Sequence, residues 1–133
     1  MAAITPMLKD QEQLGPLASR FIDIHSVPWK PTQCEGVEIK VLMEDEERGL
    51  LTVLTRWQPG TTLPDHEHTD LEQTYILEGS IVDEEGEVTA GNYVWRPSGS
   101  RHTATAPNGC LSLAIFLKPN VFRSGDIKGS EFK

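Results

Sequence analysis

Three of the four histidines in this chain fall in two short stretches whose spacing suits a metal ion. His66 and His68 are two apart, and in a strand residues i and i+2 share a face, so both rings point the same way and Glu67 points away. Glu72 follows after Thr69-Asp70, where the chain can bend, and it opens a run in which Glu72, Thr74 and Ile76 share a face. His102 opens a later strand just after Pro97-Ser98-Gly99 has turned the chain. Inside a closed barrel, inward groups from separate strands converge. Three imidazoles and a carboxylate then make a site for one divalent ion: zinc, iron, nickel or copper, and manganese more weakly. No thiolate belongs to the set, so a structural zinc knot is not expected. His25 lies outside both stretches and reads as a surface histidine.

The elements that must position these groups read as short strands. Val37–Met43 alternates apolar and polar residues at period two, and Leu50–Trp57 follows after a charged turn closed by Gly49. Leu63–His68, Gln73–Leu77, Ser80–Asp83, Tyr93–Arg96, His102–Ala106 and Leu111–Leu117 read as six more. Between them stand turn residues, including Asp83-Glu84-Glu85-Gly86 and Pro107-Asn108-Gly109. Gly79 is expected to make a tight hairpin, and Gly91 another before Tyr93. Phe21–His25 is expected to be a first strand, and Leu8–Leu14 a short helix stopped by Gly15-Pro16. Strands at this spacing predict an all-β sandwich or barrel. Residues 1–34 form an arm with the first strand, 35–118 the barrel and 119–133 a tail. Gly129-Ser130-Glu131-Phe132 has the look of an appended linker, and no function is expected of it.

Alternation also nominates the wall of the site. With Glu72 inward, Thr74 and Ile76 are inward, and with His102 inward so are Ala104 and Ala106. The parity of Tyr93–Arg96 is open: either Tyr93 and Trp95 or Val94 and Arg96 face the cavity. An inward Arg96 can hold a carboxylate or enolate oxygen by a charge-assisted bond. A salt bridge at the surface is the plainer reading of Arg96 and Arg101. Arg96, Thr74, Ile76 and Ala104 are thus the candidate substrate contacts.

The 133 residues suit one domain, and the net charge of -8 argues against nucleic acid as a partner. Two cysteines, Cys34 and Cys110, make no disulfide framework and are expected to be reduced thiols of a cytoplasmic protein. No signal peptide and no apolar run long enough to span a membrane is read in the sequence.

The two stretches carry a resemblance. Gly60-x5-His66-x-His68-x3-Glu72-x6-Gly79 matches the first cupin motif at every position, and Gly91-x5-Pro97-x-Gly99-x2-His102 matches the second except that the usual closing Asn is Ala106. The resemblance covers roughly residues 35–118 and implies a jelly-roll β-barrel (the RmlC-like fold) with His66, His68, Glu72 and His102 as ligands. Pro28-Trp29, Leu77-Glu78-Gly79 and Ser100-Arg101-His102 make the chain most similar to the ChrR-like branch. That branch includes zinc-binding anti-sigma domains and relatives of iron dioxygenases that cleave β-diketones and hydroxyacetophenones. The resemblance therefore implies a mononuclear iron dioxygenase acting on a β-diketone or hydroxyaryl ketone, or else a non-catalytic zinc cupin that senses or binds a small ligand. A non-redox isomerase or sugar-binding barrel is a third reading. No Cys/His cluster precedes the barrel, so direct sigma-factor binding is not expected. Cupins of this size commonly pair through barrel faces, and a homodimer is expected.

Overall fold

The computed structural model describes residues 3–132; the first two residues of the expected arm and the last of the expected tail lie outside them. Ten strands follow one another: β1 (Lys30–Pro31), β2 (Val37–Asp45), β3 (Leu50–Trp57), β4 (Thr61–Glu67), β5 (Glu72–Val82), β6 (Glu87–Thr89), β7 (Tyr93–Arg96), β8 (Arg101–Ala106), β9 (Cys110–Phe116) and β10 (Val121–Phe122). All pairings are antiparallel, in the order β1-β2-β3-β9-β5-β8-β4-β10, with β6 and β7 on the free edge of β5. The sheet curls so that its two halves face each other, which is the expected jelly-roll arrangement. Val37, Ile39, Val53, Leu63, Ile76, Ala104, Phe116 and Phe122 fill the space between. Period-two alternation explains the choice: in β9, Cys110, Ser112, Ala114 and Phe116 are buried while the residues between them are half-buried or exposed.

β5 joins the halves. Its first part pairs with β9 and β7, and its end pairs with β6 and touches β8 through Val82 and Thr105. The change falls at a register shift between Ile76 and Glu78, just before Gly79. Gly79 therefore makes no hairpin, because Gln73–Leu77 and Ser80–Asp83 are one strand. Its φ is 75°, and a Cβ there would stand 2.0 Å from the carbonyl oxygen of Gly109. Only glycine lets β5 bend this close to the β8–β9 turn. Gly91 sits in a turn, with Asn92 N–H donating to Thr89 O, but β6 and β7 both pair with β5 and not with each other.

Three other expectations are corrected. Phe21–His25 is not a strand: Phe21 is 90% exposed, and Ile24–Ser26 is a 3-10 turn in which the Asp23 carboxylate accepts from His25 N–H and Ser26 Oγ. The side chain supplies locally the bonds a sheet neighbour would have supplied. Leu8–Leu14 reduces to a 3-10 turn at Lys9–Gln13. The tail is no loose appendage, since β10 pairs with β4 and Phe132 packs in the core against Phe116 and Phe122. β6, which period two did not reveal, is three residues long.

The outer face of the first half carries bare aromatic and aliphatic side chains: Tyr75, Leu77, Tyr93, Trp95 and Ile115. Register puts Tyr75 opposite Tyr93, and Gln73 opposite both Trp95 and Ile115, so they form one patch across β7, β5 and β9. Among the described residues no helix is long and apolar enough to cross a membrane. Cys34 and Cys110 are free and buried, and burial pushes both thiols up to about 11, so they stay protonated at neutral pH.

Candidate metal centre

His66 lies near the end of β4, where Pro64-Asp65 forms an irregularity and register resumes with His66 opposite His102 of β8. His68 sits just past the strand. The turn the second motif was expected to make holds it there: Gly99 N–H donates to His68 O, and His68 N–H donates to Ser100 O. Prolines and glycines of one motif thus fix a histidine of the other. Glu67 points away, toward Arg123.

The three rings are buried and packed edge to face or tilted, with centroids 4.5 to 5.2 Å apart. Each has its Nδ1 tied outward. His66 Nδ1 faces Pro64 O at 2.8 Å, His68 Nδ1 faces Ser100 O and Oγ at 3.0 and 2.8 Å, and His102 Nδ1 faces Asp83 Oδ2 at 2.7 Å. A carbonyl or carboxylate can only accept, so for His66 and His102 the proton belongs on Nδ1, and Ser100 O favours the same tautomer for His68. That leaves three Nε2 lone pairs for the interior. The three histidines each offer a ligand atom within 4.8 Å of the others. His68 Nε2 is buried and has no hydrogen-bond partner. Such an orphan fits an ion, and outward tethers of this kind are what metal-binding histidines carry.

Glu72 stands beside this trio. Its Oε1 is 3.5 Å from His68 Nε2, too long for a hydrogen bond, and accepts from Asn120 Nδ2 at 2.8 Å. Its Oε2 accepts from Thr74 Oγ1 at 2.8 Å. Burial opposes ionisation of Glu72, but His68, Asn120 and Thr74 outweigh it and hold the carboxyl below its usual range.

Asp83 is the residue that sequence reasoning missed. It was read only as the end of a strand and the start of a turn, yet its side chain is 2% exposed. Its Oδ2 meets both His102 Nδ1 and Arg96 Nη1 at 2.7 and 2.6 Å, while Oδ1 accepts from the N–H groups of Glu85 and Gly86. Burial raises its pKa, but these bonds prevail and hold it at about 2. The only sequence signal was Gly86, three places on, which lets the turn fold its amides back onto the carboxylate.

A cavity of about 40 Å³ adjoins the trio, with His66, His102, Glu72, Thr74, Arg96 and Asn120 on its polar side. Trp57, Leu63, Ile81 and Phe116 make the apolar side. That volume admits a few water-sized groups. A more open cleft of about 380 Å³ reaches His68 and His102 from the β6–β7 side. Val94, Arg96 and His102 border both spaces. Parity along β7 is thereby resolved: Val94 and Arg96 face in, and Tyr93 and Trp95 face out. Arg96 is engaged in a buried ion pair and not a surface one, whereas Arg101 pairs with Asp65 at the surface. Of the remaining candidates, Thr74 and Ala104 line the cavity, while Ile76 is buried in the core behind it.

Burial pushes the His66 pKa down to about 4, with the neighbouring His102 adding to the effect, and burial lowers that of His68 as well. Between the ordinary value near 6.5 and 4, the unfolded chain therefore binds more protons than the folded one, and stability rises with pH. Metal-stripped protein should lose on the order of 1 kcal/mol per pH unit as pH falls from 6.5 toward 4.5. Urea unfolding across that range checks it, and a flat profile contradicts the buried neutral state of these rings.

A family model described as the ChrR cupin-like domain matches residues 18–119. No functionally curated protein matches the sequence. Several solved structures share the fold. A candidate acetylacetone dioxygenase from Methylibium petroleiphilum PM1 superposes with a TM-score of 0.77 at 19% identity, covering 90% of each chain. An acetylacetone dioxygenase from Acinetobacter johnsonii gives 0.74 at 17% identity, over 91% of this chain and 89% of that one. The complex of Rhodobacter sphaeroides SigE with the anti-sigma ChrR gives 0.59 at 22% identity, over 80% of this chain and 72% of that one. At such identities the structural likeness carries the fold, and the sequence model carries the family. This chain belongs to the ChrR cupin-like family.

Proposed function

We propose that His66, His68, His102 and Glu72 hold one divalent ion, and that the protein is a mononuclear iron dioxygenase acting on a β-diketone or hydroxyaryl ketone. The observation that supports this most is the outward tethering of all three Nδ1 atoms, which leaves the three Nε2 atoms for the interior, that of His68 buried and without a hydrogen-bond partner. Iron would supply a place for dioxygen and the electrons to activate it, which no side chain here can do. The chain's own groups do the rest. Three imidazoles and one carboxylate leave two positions of an octahedral shell for ligands from outside. Trp57, Leu63, Ile81 and Phe116 keep the adjoining cavity apolar and limit water. Arg96, fixed by Asp83, puts a positive charge where an enolate would need one. The fold shared with acetylacetone dioxygenases agrees with this reading.

A second reading is a closed zinc centre without turnover. It draws on the position of Glu72, held by Asn120 and Thr74 as a fourth ligand for a tetrahedral ion. Oxygen consumption separates the two. Iron-loaded protein should consume oxygen with acetylacetone or 2-hydroxyacetophenone, and zinc-loaded protein should not. No uptake across a broad ketone panel, with iron confirmed in the site, favours the zinc reading.

The bare patch of Tyr75, Tyr93, Trp95 and Ile115 supports pairing of two copies through this face. Sedimentation should give a dimer, and Trp95→Glu should shift it to monomer; a wild-type monomer at high concentration contradicts the pairing.

A further inference from the structure

Two buried polar atoms at this centre have no hydrogen-bond partner. One is His68 Nε2, 3.5 Å from Glu72 Oε1, and the other belongs to Asn120, whose Nδ2 donates to that same oxygen. The orphan of Asn120 is its carbonyl, Oδ1. The amide donates through Nδ2 to Glu72 Oε1 at 2.8 Å, which leaves Oδ1 as its unpartnered atom. Asn120 is 3% exposed, and it lines the same cavity as His66, Glu72 and His102.

Among the described residues no donor meets this acceptor. Thr74 Oγ1 donates to Glu72, Trp57 Nε1 to Thr55 Oγ1, and Arg96 Nη1 to Asp83. Thr55 and Ser112 share a bond with each other. Nor can Asn120 easily swing toward water. Thr69 Oγ1 donates to Pro119 O beside it, and Asn120 O accepts from Phe132 N–H. A buried carbonyl held in place without a donor is a recognition element awaiting one, because a site built for a polar group discriminates sharply against a ligand that lacks it.

We propose that Asn120 reads the ligand of this centre, and that this ligand is a small oxygen chelator carrying an N–H or O–H donor on the side that faces Asn120. This rests on the reading of the three histidines as a metal centre. It goes further in separating ligands whose oxygens only accept from those that also donate. A plain β-diketone bound as its enolate leaves Asn120 Oδ1 unmet. An amide or hydroxyl analogue of the same shape does not.

Acetylacetone and acetoacetamide make the test. Both chelate through two oxygens, and they differ by a methyl replaced with an amino group of similar size. Full-length protein loaded with zinc, one ion per chain by elemental analysis, is titrated with each by calorimetry, so that no turnover intrudes. The preference for acetoacetamide over acetylacetone should be about tenfold larger in the wild type than in Asn120→Ala. N,N-dimethylacetoacetamide, which has no N–H, should lose that preference in the wild type, so the test stands even where the variant folds poorly. Equal preference in wild type and variant, or the same affinity for all three probes, overturns the role of Asn120 and leaves the metal centre intact. Binding of no probe to the loaded protein overturns the role of Asn120 and the open coordination positions it needs, and favours the closed zinc centre.

Discussion

Packing three imidazoles together in the interior of a small protein is the constraint from which the rest follows. Burial penalises the charged forms of His66 and His68, and each buried ring must bond through its nitrogens or leave one stranded. Here the outer nitrogens are all met by groups fixed in the backbone or in a buried turn: Pro64 O, Ser100 O and Asp83. The inner nitrogens are left for the interior, and His68 Nε2 has nothing at all. A core that only needed filling would have used leucine or valine at these places. A stranded lone pair such as that of His68 is tolerable where a cation completes it.

The scaffold can be understood as the means to that arrangement. β4 and β8 bring His66 opposite His102, while the Pro97–Ser100 turn clamps His68 from outside the strand. β5 crosses between the halves of the sheet, with Glu72 at its start beside the rings and Asp83 just beyond its end behind His102. One strand thus delivers a carboxylate to each side of the trio. Gly79 makes this crossing feasible, because a side chain there would collide with the β8–β9 turn. The two carboxylates sit in different company. Glu72 is held by Thr74 and Asn120 next to an unmet imidazole, whereas Asp83 is saturated by His102, Arg96 and two amides. Their environments differ: Glu72 borders the unmet imidazole of His68, whereas Asp83 orients His102.

Much of this was legible in the order of residues. A two-residue spacing put His66 and His68 on one side, and period two correctly turned Thr74, Ala104 and Ala106 inward and Tyr75 and Leu77 outward. Those inferences rest on local geometry, which a strand enforces wherever it lies. What stayed hidden depends on contacts far apart in the chain. Asp83 looks like any turn acid until the fold places His102 and Arg96 against it. Asn120 follows a proline in a stretch with no pattern, and its role exists only because that stretch returns to β4. Gly79 was given a hairpin because glycine permits several conformations, and sequence does not say which neighbour presses on it. Phe21–His25 alternated well enough for a strand but had no partner, and Asp23 bonded the backbone first.

X-ray absorption at the edge of whatever metal co-purifies with the protein puts the whole account to its hardest trial. It should show one ion per chain, with three imidazoles and at least one oxygen at roughly 2.0–2.2 Å and no sulfur in the shell. A protein that carries no stoichiometric ion, or an ion seen by fewer than three imidazoles, would mean that the rings gather for some other reason.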